Sequence, residues 1–204
     1  KVLFSGIGKS WLGVFLAPGK NLSIYIKSDG NNKDEVYFDG QFAEINQQYH
    51  QYDLENFVRK SFPMGDFYAL LSKPGISSEN IQNFILSNLK IGFEKLDQIS
   101  DLNSSTQQLV KINLRMYAVD LILSARGMLN QERRNNPKIK EVSFGSEFYS
   151  VLKGLDFNDQ YSLYSYRSTN NFSLAKRFFT YFSPVFIRQQ YLTKSDIAAL
   201  KADN

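Results

Sequence analysis

The segment Gly6-Ile7-Gly8-Lys9-Ser10 is the first whose residue types suggest chemistry, because Gly-Lys-Ser ends the phosphate-binding loop of many nucleotide-binding proteins. That loop also needs a glycine five positions before its second glycine, and Leu3 stands there instead. The residues after Ser10 have the apolar pattern of a strand, whereas the loop must lead into a helix whose N-terminus binds phosphate. We therefore predict a hairpin turn at this segment and no nucleotide site.

The single histidine, His50, falls on a predicted helix, with Glu44, Asp53 and Glu55 as the nearby carboxylates. A catalytic or metal-binding histidine needs partners, and a lone helical histidine without a second ligand rarely binds metal. Asp53 lies three residues further along, so an ordinary surface pair on a helix accounts for it. We predict a structural or solvent-facing role for His50.

The densest basic cluster comprises Arg133, Arg134, Lys138 and Lys140. A nucleic-acid surface would also carry aromatic residues between the charges, and none lies between positions 130 and 143. Two arginines in the last turn of a helix complement the helix dipole. The cluster therefore indicates a helix end, and no nucleic-acid partner is predicted.

Two other polar groups also have structural explanations. The carboxylate pairs Asp34–Glu35 and Asp156–Asp159 lie in turn-like segments and lack a recognisable acid–base spacing. The tyrosines of Tyr161–Tyr166 offer a stacking platform for a sugar or base, but in a chain with 15% aromatic residues such a cluster is more typical of a partly buried core. We predict no catalytic, cofactor-binding or metal-ligating residue, and a protein that is not an enzyme.

Composition excludes several classes of chemistry. The chain has 204 residues, of which 43% are hydrophobic and 22% charged, with a net charge of +4. This balance is typical of a globular protein. It contains no cysteine, which excludes disulfides, thiolate nucleophiles, Cys-ligated zinc and iron–sulfur clusters within this chain. The longest apolar run, residues 11–17, is far shorter than the roughly 20 residues that a membrane-spanning helix needs.

Patterning divides the elements into an N-terminal β part and a longer helical part. β-Branched and aromatic runs separated by turn signals predict about four strands in a small antiparallel sheet, within residues 2–4, 11–16, 22–26 and 36–38. A spacing of three and four between apolar residues predicts helices over 41–56, 65–71, from Ser77 or Ser78 to about 96, from a Ser104–Gln107 capping box to 130, a short helix ending at Gly154, over 172–182, and a final one opening at Thr193. The residues over 108–130 are apolar on more than one face, so this helix should be central.

These elements predict an α+β fold in which a small N-terminal antiparallel β-sheet packs on a mainly α-helical bundle. The chain passes from residue 38 into the helical part without a flexible linker, so residues 1–40 and 41–204 should form one structural unit. Phe42 and Ile45 are best placed to face Phe15, Ile24 and Phe38.

Two stretches carry a resemblance to a known family. The residues from Val14 to Ile24 resemble a strand–turn–strand pattern F-L-x-P-G-D-x-L-x-I, with Lys20 in place of the usual Asp. The residues from Val36 to Asn46 resemble the strand-to-helix pattern F-x-G-x-G/F-A-E-x-N-x-Y. Both patterns are typical of the segment that precedes the catalytic domain in TlpA-like, thioredoxin-fold thiol–disulfide oxidoreductases of Gram-negative gut bacteria.

The resemblance implies a non-catalytic accessory domain. The family's chemistry resides in a C-terminal thioredoxin fold with a Cys-x-x-Cys pair, and because this chain has no cysteine, no active-site residue carries over. The implied partners are a redox domain following Asn204 and a second copy in a homodimer. The implied location is the periplasm or cell envelope, with a lipoprotein anchor upstream of Lys1.

One alternative from another class remains open. The chain could be a free-standing periplasmic or surface binding protein that holds a small ligand or glycan through Tyr161–Tyr166.

Overall fold

Four strands open the chain, and they pair as two antiparallel hairpins. A computed structural model describes residues 2–7, 10–16, 19–28 and 34–154. Strand β1 (Val2–Ile7) pairs with β2 (Ser10–Val14), and β3 (Leu22–Ser28) pairs with β4 (Asp34–Gly40). The α+β prediction is confirmed, but the four strands form two two-stranded sheets instead of one sheet. The chain leaves β2 at Phe15, whose backbone N–H and carbonyl both bind the side chain of Asn46 on a helix.

The turn from β4 into the first helix depends on two unusual backbone conformations. Gly40 has φ +101°, and a Cβ atom there would lie 2.6 Å from the backbone oxygen of Asn21. The same oxygen accepts a hydrogen bond from the Gln41 N–H at 3.0 Å. Phe42 then adopts the left-handed conformation, with φ 61°, before the helix begins. Glycine at position 40 is therefore required by both sterics and φ.

Helices occupy most of the rest of the described chain. Their bounds are α1 (Ala43–Gln51), α2 (Leu54–Lys60), α3 (Met64–Leu71), α4 (Ser78–Asp97), α5 (Ser104–Asn135) and a 3₁₀ helix (Ser146–Gly154). The helix predicted over 41–56 was wrong as one element, because Asp53 takes the left-handed conformation with φ 48° and separates α1 from α2. The helices predicted over 172–182 and from Thr193, and the tyrosines of Tyr161–Tyr166, lie outside the described residues.

The caps of the two long helices differ in how well the sequence predicts them. Ser77 caps α4 in a capping box with Asn80, as one of the two predicted cap residues. Asn103 caps α5 by accepting from the Thr106 N–H at 2.7 Å, so the predicted Ser104–Gln107 capping box was wrong. An asparagine at the N-cap is as favourable as a serine, and here it precedes the serine by one position.

Helix α5 is central, as its apolar pattern predicts. Its buried side chains contact α1, α2, α3 and α4 within one large core. Gly92 of α4 lies close against α5, since a Cβ there would be 3.2 Å from a Leu114 methyl. The burial of apolar side chains away from water is the main contribution to the stability of a fold built around one large core.

The β3–β4 hairpin has a second, smaller core. Val14 and Val36 are buried there, with Leu16, Leu22, Ile24 and Phe38 packed around them. The prediction that Phe42 and Ile45 face Phe15 agrees with their membership of the large core. Its extension to Ile24 and Phe38 was wrong, because those side chains belong to the small core. The boundary between the two cores falls between Val14 and Phe15.

Candidate functional site

The most specific polar geometry in the described residues surrounds Asn46 on α1. Its side chain is 1% exposed. The Phe15 N–H donates to Asn46 Oδ1 at 2.7 Å, and Asn46 Nδ2 donates to the Phe15 carbonyl at 3.0 Å. Nδ2 also donates to the Phe42 carbonyl at 2.9 Å. A primary amide has one acceptor and two donors aligned like a backbone amide, so Asn46 binds Phe15 as a neighbouring strand would.

The ring of Phe15 is held from a second direction. It meets the Tyr49 ring edge to face, with centroids 4.8 Å apart. Tyr49 lies one helical turn after Asn46 and accepts from Asn113 Nδ2 of α5 at 3.4 Å. Both Tyr49 and Asn113 are buried. This chain of contacts links the end of the first hairpin through α1 to the central helix.

Gln48 of α1 and Tyr52, the residue directly after this helix, bind the loop between α4 and α5. Gln48 Nε2 donates to the Asp101 carbonyl at 2.9 Å, and Gln48 Oε1 accepts from the Asn103 N–H at 3.0 Å. The Tyr52 hydroxyl donates to the Asp101 carboxylate at 3.3 Å. Partial burial, with a further contribution from the Asp101 charge, raises the pKa of Tyr52 above its usual value. Below, the α1 junction means Phe15, Asn46, Gln48, Tyr49 and Tyr52 together with their loop partners Asp101 and Asn103.

The α1 junction has the chemistry of a structural connection. Its polar atoms belong to side-chain amides, phenols, the Asp101 carboxylate and backbone groups, and they bind other parts of the same chain. The two stretches that resemble the accessory segment meet here, since Phe15 lies in the first and Asn46 in the second. Sequence reasoning missed Asn46 and Gln48 as binding residues, because their partners lie 31 and more than 50 positions away.

The residues that the sequence singled out lie apart from the junction's contacts. His50 is exposed on α1. Asp53, its predicted surface partner, accepts instead from Asn56 Nδ2 at 2.9 Å. Gly8 and Lys9, on which the predicted hairpin turn falls, lie outside the described residues, whereas Ile7 and Ser10 on either side of them are opposite each other in two antiparallel strands. A strand, β2, follows it where a phosphate-binding loop would need a helix.

The basic cluster lies at the end of α5. Arg133 and Arg134 are in its last turn and line an open depression of about 480 Å³ together with Pro137 and Ile139. Arg133 Nη1 is 3.5 Å from Asn130 Oδ1, and its Nε is buried without a hydrogen-bond partner in the described part of the chain. The predicted helix end is thus confirmed, although α5 continues to Asn135 and not to residue 130.

The β3–β4 hairpin exposes an aromatic pair that the sequence analysis did not single out. Tyr25 and Tyr37 are opposite each other in the register, and 58% and 50% of their surfaces are exposed. The Tyr37 hydroxyl donates to the Glu35 carboxylate at 3.0 Å, and this bond raises the pKa of Tyr37. Strand alternation places both rings on the face away from the small core.

The described residues contain no group of three or more His, Asp or Glu side chains able to hold a metal ion. Within the same ranges, no helix combines the length and apolarity that crossing a bilayer requires. No known protein family, curated protein or solved structure matches this chain.

Proposed function

We propose that this chain is a non-catalytic accessory domain that positions an extracytoplasmic thiol–disulfide oxidoreductase, whose redox domain would follow Asn204. The observation that carries the proposal is the meeting of the two resembling stretches at one place. Asn46 of the second stretch binds both backbone groups of Phe15 in the first.

The positions that carry the resemblance have structural tasks in this fold. Phe15 fills the core beneath Tyr49, Gly40 permits the turn out of β4, and Asn46 joins the strands to α1. A pattern whose letters are explained by one three-dimensional junction supports common architecture better than an isolated match of the same length. This supports the accessory role, because the same pattern is typical of the accessory segment.

The chain's own chemistry is consistent with a partner that supplies the thiols. Disulfide exchange requires an attacking thiolate and a resolving thiol, and this sequence has no cysteine. Its helices instead pack around α5 in one large core, which suits a body that holds another domain in a fixed place.

The first test is the reading frame beyond Asn204. A Cys-x-x-Cys pair within an α/β pattern would support the proposal, and a stop codon directly after Asn204 would contradict it. The binding-protein alternative would then be favoured.

The second test compares the longer protein with its redox domain alone. Both should have the same reduction potential, since the accessory domain holds no redox group. Turnover of a scrambled-disulfide substrate should be faster when the accessory domain is attached, because it positions the reactive pair. Equal turnover with and without residues 1–204 would contradict a positioning role. The 204-residue chain by itself should show no turnover in an insulin-reduction assay, and any thiol-dependent turnover by pure protein would refute this expectation.

A further inference from the structure

The outer edge of β3 carries backbone groups that point away from β4. In the β3–β4 register, Asn21 and Gln41 are the next pair after Leu22 and Gly40, and the Gln41 N–H donates to the Asn21 carbonyl. Odd-numbered residues of β3 therefore exchange hydrogen bonds with β4. Antiparallel pairs alternate between bonded and non-bonded types, so the N–H and C=O groups of Leu22, Ile24 and Ile26 point outward.

A bond on the opposite edge of the hairpin supports this assignment independently. Val36 is opposite Ile26, and its carbonyl accepts from Gln47 Nε2 of α1 at 3.4 Å. A carbonyl that reaches α1 cannot point at β3, so the Val36–Ile26 pair is non-bonded. The β4 edge is thus covered by α1, whereas no strand of the described residues pairs with the outer edge of β3.

An uncovered strand edge is a template for a further strand. The exposed side chains of β3 also indicate a binding surface at this edge. Tyr25 is 58% exposed on one face of β3, and Ile26 is 40% exposed on the other. Natural proteins commonly protect an edge with charged side chains, especially lysine, with proline or with a bulge, and residues 22–28 contain one such residue, Lys27, and no proline.

We propose that this edge binds a second copy of the chain, with β3 antiparallel to its counterpart and a two-fold axis passing beside Tyr25. The register follows from the outward-pointing groups. Ile24 then exchanges backbone hydrogen bonds with Ile26 of the partner subunit, and Leu22 with Ser28 of the partner subunit. The β3–β4 hairpins of the two copies become one four-stranded sheet, in which the outer edge of each β3 is paired.

The side chains of β3 are self-complementary in this register. Ile26 gains Ile24 of the partner subunit as its neighbour on the apolar face. On the other face Tyr25 meets Tyr25 of the partner subunit, which extends the Tyr25–Tyr37 pair across four strands. Aromatic pairs of this kind stabilise sheets. Lys27 lies opposite Ser23 of the partner subunit, so no like charges face each other.

Other registers are poorer. A shift by one residue would put apolar side chains on the polar face. A shift by two, with Ile24 opposite itself, would leave Ser28 and Lys27 beyond the paired residues. A strand-edge contact is smaller than the roughly 1,200–2,000 Å² of a standard stable interface, so the dimer should form and dissociate with concentration. The inference does not depend on the proposed accessory function, because it follows from the hairpin alone.

Disulfide trapping tests the register directly, since the chain has no cysteine of its own. Tyr25 and its counterpart would form a non-bonded pair with Cα atoms about 4.5 Å apart, a separation that a disulfide can span. Tyr25→Cys should therefore give a covalent dimer under mild oxidation. Tyr37→Cys is the matched control, because its counterpart would lie three strand spacings away, about 14 Å. It should stay monomeric on a denaturing gel.

A pair of variants with opposite charges at position 25 tests the monomer–dimer equilibrium. Sedimentation velocity of the unmodified chain should show a monomer–dimer equilibrium, and Tyr25→Lys and Tyr25→Glu should each be monomeric at the same concentrations. An equimolar mixture of the two variants should recover the dimer, whereas Tyr68→Lys, which alters an exposed tyrosine of α3, should dimerise as the unmodified chain does. A chain that stays monomeric at all concentrations, equal cross-linking of the Tyr25 and Tyr37 variants, or a mixture that fails to associate would each overturn the proposal.

Discussion

Replacing Asn46 by alanine should destabilise the fold by about 2–5 kcal/mol. The change removes the acceptor for the Phe15 N–H and the donor to the Phe15 carbonyl, and Phe15 is 1% exposed. Each buried backbone group that loses its partner costs about 1–3 kcal/mol. The Phe42 carbonyl keeps its bond from the Asn46 backbone N–H at 2.9 Å, so it adds little. The higher helix propensity of alanine reduces the loss of stability by about 0.5 kcal/mol.

Urea unfolding with two probes measures the loss and locates it. Trp11 is the only tryptophan and lies in β2, so its fluorescence reports on the first hairpin. Far-UV circular dichroism reports on the helices. The two transitions should coincide in the unmodified chain, because the α1 junction couples its two parts. In N46A the fluorescence transition should move to lower urea than the dichroism transition, since the connection to α1 is weakened.

Two variants control for the change itself. Gln47→Ala removes a single 3.4 Å bond from a half-buried side chain and should cost less than about 1 kcal/mol. Asn46→Asp keeps the acceptor but places a carboxylate beside two carbonyls, which raises the pKa of the introduced group above about 3.9. The folded form then binds a proton more tightly than the unfolded chain, so N46D should lose stability as pH rises through that folded pKa. A loss in N46A no larger than in Q47A would refute the structural role given to Asn46.

Three further outcomes follow from other parts of the fold. Ile45→Ala should lower the free energy of unfolding by about 2–5 kcal/mol in urea, as large-to-small core changes do. If residues 41–204 alone melt as sharply and at the same temperature as the whole chain, the prediction that residues 1–40 and 41–204 form one structural unit is wrong. Gly40→Ala should cost at least about 2 kcal/mol, because of its φ and the 2.6 Å approach to Asn21, while Gly65→Ala, with open space around it, should be close to neutral. Burial raises the pKa of Tyr149 to about 12, so stability should fall as pH rises from about 10, where a tyrosine of the unfolded chain ionises, through 12. Tyr149→Phe should reduce that slope in alkaline denaturation, and an unchanged slope would show that Tyr149 does not contribute to it.

Local periodicity was enough to identify most elements. The alternation of residues 22–27 and the apolar stripe from Ile81 to Leu96 are complete within their own segments, and β3 and α4 formed where these patterns predict. The division of the helix predicted over 41–56 was not visible, because Tyr52 continues the apolar spacing into the break. The available signal was Asp53, since aspartate tolerates the left-handed conformation better than most residues.

The α1 junction could not be predicted from spacing. Asn46 stands among polar neighbours on an amphipathic helix, where it resembles a solvent-facing residue. Its burial depends on Phe15, which is 31 positions away along the chain. The pairing of strands into two sheets was hidden for the same reason, because propensity identifies a strand but not its neighbour.

The position of α5 in the chain determines when the N-terminal strands can dock during synthesis. Tyr49 of α1 accepts a hydrogen bond from Asn113 of α5, and α5 contributes more buried side chains to the large core than any other element. A ribosome adds about 5–20 residues per second, so the roughly 95 residues between Gly40 and Asn135 take on the order of 5–20 s. Throughout that interval β3 is complete, while the central helix on which α1 packs is still being made. During this period the β3 edges of nascent chains on neighbouring ribosomes can pair with each other. A chaperone that shields residues 22–28 should therefore raise the yield of folded protein.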